Sequence, residues 1–221
     1  MRTSPRGVAE IAAHEGIVLS PYRDSVGVLT IGVGHTKGAG SPDPASFPMG
    51  VEQPLDRILS VFRADLAKFE DGVNRAVKVP LKQHEFDALV SFHFNTGGIA
   101  KAALVRSLNA GDRPGAIAGF DNWHKPPEII GRRNKEKALF ASGAYSSSGK
   151  ATVYPADARG KVQWSKGRQV DVLAVMGGSR PDVTDPPFSL PPEPPARPEA
   201  PQADLSGNAG CNFSRLWRRK K

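Results

Sequence analysis

Glu15, Asp24 and Thr30 fall at a spacing of eight and then five intervening residues, a carboxyl, a second carboxyl and a hydroxyl close together near the N-terminus. Hydrolysis of a glycosidic bond calls for such a set. One carboxylic acid protonates the leaving oxygen, and a second group positions water or bears the developing positive charge. Each residue also has a plainer reading. A Glu at a helix end is ordinarily a solvated or paired charge, Asp-Ser-Val-Gly is a turn in which Asp bonds its own backbone, and Thr suits a strand. The set has chemical meaning only if the surrounding elements fold the three onto one cleft.

Those elements can be read from the chain. Ser4-Pro5 is an N-cap followed by a first helical position and Gly16 is a stop, which gives a short helix ending at Glu15. Residues 22–36 (YRDSVGVLTIGVGHT) mix polar, glycine and β-branched residues as a small twisted hairpin or meander does. Asp24 opens it and Thr30 sits on its returning strand. Residues 42–50 read as a loop. Residues 52–77 place Leu55, Ile58, Leu59, Phe62, Leu66, Phe69 and Val73 three and four apart, an amphipathic helix. Residues 82–95 form the next helix, with Phe86, Leu89, Val90, Phe92 and Phe94 inward, and further helices follow over 99–110, 114–123 and 132–142, the last capped by Gly143. A small β element followed by a helical bundle makes the fold class α+β.

Three blocks, in this order, resemble the phage-type lysozymes, or endolysins, of glycoside hydrolase family 24. They are AAHEGIVLSPYRDSVGVLTIGVGHT (residues 12–36), QHEFDALVSFHFNTG (residues 83–97) and, more weakly, GRRNKEKALF (residues 131–140). The spacing of Glu, Asp and Thr alone would be weak; the order and separation of the blocks make the match specific. The resemblance implies a lysozyme-like fold, a β-hairpin lobe and a helical lobe with an active-site cleft between them. It implies Glu15 as a general acid kept protonated in the cleft. Asp24, ionised, and Thr30 would hold the water that attacks from the opposite face, giving inversion with carboxyls roughly 6.5–9.5 Å apart. Asn95 and Gly97 would border the saccharide, although a helix C-cap is their plain reading. His35 reads as structural, bonded to a carboxylate across the cleft. Arg132 and Arg133 are expected to pair with helix carboxylates or capping groups rather than to bind substrate. Neither cofactor nor metal is implied. The implied partners are bacterial peptidoglycan and a separate holin that gives access to it, with no nucleic acid, no stable membrane insertion and a monomeric state. His93 departs from the family, where a small apolar residue is usual.

Composition is compatible with this reading without selecting it. The chain has 221 residues, 39% hydrophobic and 24% charged, as ordinary globular proteins do. Its single cysteine, Cys211, excludes a disulfide framework and a cysteine zinc site. No apolar stretch approaches the roughly 20 residues of a membrane span. The N-terminus has no apolar signal region, which suggests a cytoplasmic protein until its release to the wall. The net charge of +8 favours an anionic partner. Beyond Pro181, six Arg/Lys face five Asp/Glu, so residues 1–180 carry seven of that charge. Nucleic acid, anionic membrane and wall polymers fit it equally.

Four segments are expected: a lysozyme-like domain over 1–144, a β-hairpin-like appendage over 145–180, a linker over 181–201 and a disordered basic tail over 202–221. In the appendage, Val153-Tyr154 and residues 162–164 flank the turn-rich PADARGK, and the linker holds nine prolines. Two other functions compete with the hydrolase. A lytic transglycosylase uses one essential Glu and the substrate's own hydroxyl, against which Asp24 and Thr30 argue. A non-catalytic wall- or nucleic-acid-binding protein on the same scaffold is the other, since fold does not guarantee function.

Overall fold

The computed structural model describes residues 1–177. The expected linker and basic tail lie outside the described residues. Helix α1 spans Pro5–Glu15 between the signals anticipated for it: the Ser4 side chain accepts from the Gly7 N–H at 3.0 Å, and Gly16 caps the far end at φ +75°. Strand β1 (Ile17–Arg23) follows at once, several residues earlier than the hairpin pattern suggests. Its run of buried residues hides the alternation by which a one-sided strand is recognised. Strands β2 (Leu29–Gly32) and β3 (His35–Thr36) complete an antiparallel meander, with Tyr22 opposite Thr30 and Thr30 opposite Thr36.

The helical part begins with α2 (Leu55–Ala76), which carries its apolar stripe where the periodicity placed it. It starts three residues later than the pattern suggests, because Pro54 biases the residue before it away from helix. Helix α3 (Gln83–Thr96) buries Phe86, Leu89, Val90, Phe92 and Phe94. His93 is accommodated by Gly72 of α2: a Cβ there would lie 2.4 Å from the imidazole Nε2. The expected helix over 99–110 is interrupted at Ala102, which takes an extended conformation and separates a 3-10 turn (Ile99–Lys101) from α4 (Ala103–Asn109). The helix expected over 114–123 is α5 (Arg113–Ala118) tightening into a 3-10 turn (Gly119–Asn122); another 3-10 turn (Pro127–Ile129) precedes α6 (Ile130–Ser142), which ends at Gly143. A meander followed by a helical bundle is the α+β, lysozyme-like architecture anticipated from the sequence.

Residues 145–177 carry strand β4 (Lys150–Tyr154), strand β5 (Arg168–Asp171) and a short helix α7 (Val172–Val175). The partner of β4 is β5, where the sequence suggested residues 162–164; Val162 instead bridges to Ala156 within the intervening loop. Strand β4 also pairs in parallel with β1, Ile17 opposite Val153, so one sheet runs β3-β2-β1-β4-β5. Ala151, Val153, Val172 and Leu173 enter the same apolar core as Val8 and Ile11 of α1 and the phenylalanines of α3. The segment is anchored by Glu10 of α1, whose carboxylate accepts from the Ser146 hydroxyl at 2.5 Å and the Ser147 N–H at 2.8 Å. Burial opposes the Glu10 charge, but His14, Ser146 and Ser147 outweigh it and hold its pKa down to about 2. Among the described residues no helix is long and apolar enough to cross a membrane.

Candidate active site

Glu15 is the last residue of α1 and is 3% exposed. A buried carboxyl needs partners, and they come from the far side of the sequence. Arg132 of α6 donates from Nη1 to Glu15 Oε1, and from Nε to Glu136 Oε1 at 2.9 Å. Ser91 of α3 joins through its hydroxyl, which donates to Glu136 Oε1 at 2.7 Å, and its carbonyl accepts from Arg132 Nη2 at 3.2 Å. Arg133 donates to Glu136 Oε2 and to the Asn95 side-chain oxygen. A chain of charge-assisted bonds therefore runs from Glu15 through α6 to the end of α3. Burial works against the Arg132 charge, yet Glu15 and Glu136 prevail and raise its pKa. Arg133 is held below its ordinary value by burial, with Glu136 opposing.

Asp24 and Thr30 belong to a second cluster, built from backbone. Asp24 Oδ1 accepts from the Val26 and Val28 N–H groups at 2.9 and 2.8 Å, while its own N–H donates to the Val28 carbonyl at 3.0 Å. The buried Thr30 hydroxyl donates to that same carbonyl at 3.1 Å. Both side chains are thus fixed on the backbone of one residue, Val28, Asp24 on its N–H and Thr30 on its carbonyl. Asp24 is a turn residue, as its plainer reading held, but the turn uses Oδ1 only. Thr30 has its proton committed to Val28 and its lone pairs left to accept.

The remaining candidates are held by contacts of their own. Asn95 is tied to Arg133, and Gly97 caps α3 in the left-handed region at φ +66°, its N–H on the His93 carbonyl at 2.7 Å. His35 is buried, with Nδ1 2.9 Å from Asp65 Oδ2 of α2 and Nε2 2.7 Å from the Pro42 carbonyl. Both neighbours are acceptors, so the ring makes both bonds at once only when it is protonated. Asp65 raises the pKa of the ring, burial opposes and the Pro42 carbonyl adds to the rise. Of the two expected kinds of partner for Arg132 and Arg133, helix carboxylates or capping groups, the structure shows carboxylates. That one of these carboxylates is Glu15 was not expected, because nothing in local spacing connects positions 117 residues apart. No group of three or more His, Cys, Asp or Glu side chains among the described residues could hold a metal ion.

Glu15 thus ends a helix bonded to Arg132, while Asp24 on a turn and Thr30 on β2 share the backbone of Val28. The chain belongs to the phage lysozyme family, whose model matches residues 12–136 and so takes in Glu15, Asp24, Thr30, Asn95 and Arg132. With that membership it is a glycosidase of the lysozyme and endolysin type. Among individual relatives, it is 36% identical over 148 residues to the endolysin of Salmonella phage P22, covering 64% of this chain and 99% of that one. It is 35% identical over 133 residues to the SAR-endolysin of Escherichia phage Mu, 57% of this chain and 73% of the relative. A crystal structure of P22 lysozyme superposes with a TM-score of 0.58 at 33% identity, over 64% of this chain and 99% of that one. The endolysin of the Escherichia coli phage FAHEc1 gives 0.59 at 30% identity, over 66% and 98%.

Proposed function

We propose that this chain is a muramidase that hydrolyses the β-1,4 bond between N-acetylmuramic acid and N-acetylglucosamine in bacterial peptidoglycan, with inversion at the anomeric carbon. Glu15 donates its proton to the glycosidic oxygen as the bond to the anomeric carbon breaks. Water held by Asp24 and Thr30 attacks from the opposite face and gives its proton to the Asp24 carboxylate. Thr30 accepts a hydrogen bond from that water, since its own proton is engaged on Val28. Inversion requires room for water between the carboxyls, roughly 6.5–9.5 Å of separation. Asn95 and Gly97 border the sugar chain, and no cofactor or metal enters the scheme. In a lysing host the enzyme acts as a monomer, staying in the cytoplasm until a separate holin opens the way to the wall.

The observation that carries this reading is the buried Glu15 carboxyl, held at a helix end by Arg132 within the matched family stretch. The test is a turbidity assay on permeabilised Gram-negative cells. Glu15→Gln is expected to lose activity by about 10²–10⁴-fold, the contribution of a general acid. A variant that clears cells as fast as the parent would refute the scheme. Mass spectrometry of the released fragments is expected to find reducing ends; anhydro-muramyl ends would instead mark a transglycosylase.

A further inference from the structure

We propose that the loop over residues 155–163, beyond the stretch matched to the family, is a brace that positions Asp24. The inference rests on the role given to Asp24 above. Its first support is a direct bond: the N–H of Arg23, the residue before Asp24, donates to the Gly160 carbonyl at 2.9 Å.

The second support is that the loop repeats the turn it touches. In the Asp24 turn, Gly27 N–H donates to the Asp24 carbonyl at 3.1 Å, Asp24 N–H to the Val28 carbonyl, and Oδ1 accepts from Val26 and Val28. In the loop, Gly160 N–H donates to the Asp157 carbonyl at 2.9 Å and Asp157 N–H to the Lys161 carbonyl at 3.0 Å. Asp157 Oδ1 accepts from Arg159 and Lys161 at 2.9 and 3.0 Å. Asp-Ser-Val-Gly-Val and Asp-Ala-Arg-Gly-Lys are twin turns, joined where the chain enters one and the glycine of the other projects its carbonyl.

The loop is held firmly enough to brace. Ser20 of β1 accepts from the Ala156 N–H at 3.1 Å, and its hydroxyl donates to the Ala156 carbonyl at 3.3 Å. Val18 and Tyr22 of β1 pack with Ala156 and Val162 in an apolar cluster separate from the main core. Fit at the contact is close. A Cβ on Gly160, which sits at φ +76°, would lie 2.8 Å from Met49 Cε and 3.3 Å from the Arg23 nitrogen. Only glycine takes that conformation without strain while leaving the carbonyl beside Arg23. The Asp24 turn is thus supported by a loop from beyond the stretch matched to the family.

The test uses the full-length chain and two readouts, amide hydrogen exchange at Val26 and Val28 and a kcat-against-KM split on peptidoglycan. Asp157→Ala removes the acceptor that shapes the loop turn; Asp157→Asn retains an oxygen that accepts both N–H groups; Gly160→Ala disturbs the contact sterically. Val170→Ala in β5 is the control that loosens the same hairpin away from the brace. Asp157→Ala and Gly160→Ala are expected to speed exchange at Val26 and Val28 by about tenfold and to lower kcat with KM little changed. Asp157→Asn and Val170→Ala are expected to match the parent in both. Parent-like exchange at Val26 and Val28 in Asp157→Ala and Gly160→Ala overturns the brace, as does an equal loss in Val170→Ala. If Asp24→Asn itself turns over at the parent rate, the failure lies in the role given to Asp24, and the exchange data still decide the brace.

Discussion

Glu15 and the Asp24–Thr30 pair are held in contrasting ways. Glu15 is fixed by side chains, in a buried network of two arginines and a second glutamate whose members come from α1, α3 and α6. Asp24 and Thr30 are fixed by backbone, on the N–H and the carbonyl of Val28 at the end of a partly exposed turn. Buried charge is expensive to leave unpaired, so the first arrangement ties chemistry to stability. A turn closed by peptide hydrogen bonds tolerates a change of side-chain charge while its acceptor oxygen stays. The two halves of the proposed site should therefore respond differently to substitution.

The largest expected effect follows from removing the shared cation. Arg132→Met removes the guanidinium shared by the buried Glu136 and Glu15 and is expected to cost about 3–5 kcal/mol in urea unfolding, together with activity. A loss below about 1 kcal/mol, the scale of an exposed pair, would erase the contrast. Next comes the acid limb of the stability curve. Glu10 is on the same helix as Glu15, and its pKa lies at about 2 against an ordinary 4.5. A depressed carboxylate stabilises the fold above its unfolded pKa, and that stability is lost as pH falls from about 4.5 toward 2. The loss is on the order of 3 kcal/mol. Glu10→Gln should flatten this limb; an unchanged acid transition would show that Glu10 does not anchor residues 146–147.

On the turn, Asp24→Asn is expected to leave stability within about 0.5 kcal/mol, because an amide oxygen still accepts from Val26 and Val28. Turnover should fall about 100-fold even so, measured as release of reducing ends. A large loss of stability in this variant would remove the distinction from the other side. The smallest effect concerns His35. Its pKa is raised in the folded state, so its stabilisation is full below the ordinary imidazole range and is lost as pH rises through the raised value. His35→Gln should remove that alkaline decline in a pH series of thermal melts.

The contrast also explains what the sequence could disclose. Helix α1 was legible from Ser4, Pro5 and Gly16, and α3 from the periodicity of its phenylalanines, because caps and apolar stripes are local signals. The Asp24 turn was legible for the same reason: its bonds reach only four residues. The pairing of Glu15 with Arg132 was not, since an ion pair between distant segments leaves no periodic trace. Likewise 145–177 read as strand-like, but its parallel union with β1 was hidden. A parallel neighbour imposes no hairpin turn, and β1 is buried on both faces, so neither strand advertises the other. Ala102 broke an expected helix without any glycine or proline to announce it.

That parallel union reaches beyond the finished molecule into its synthesis. Ile17 is made well before the strand partner that covers its edge, Val153, which follows it by 136 residues. During that interval β1 offers an open row of peptide groups, the template on which strands of other chains can add. Long-range strand pairing is also slow, because the intervening chain must be ordered before the contact rewards it. A nascent chain would therefore hold one edge of β1 unpaired until residues 150–154 are made and dock against it.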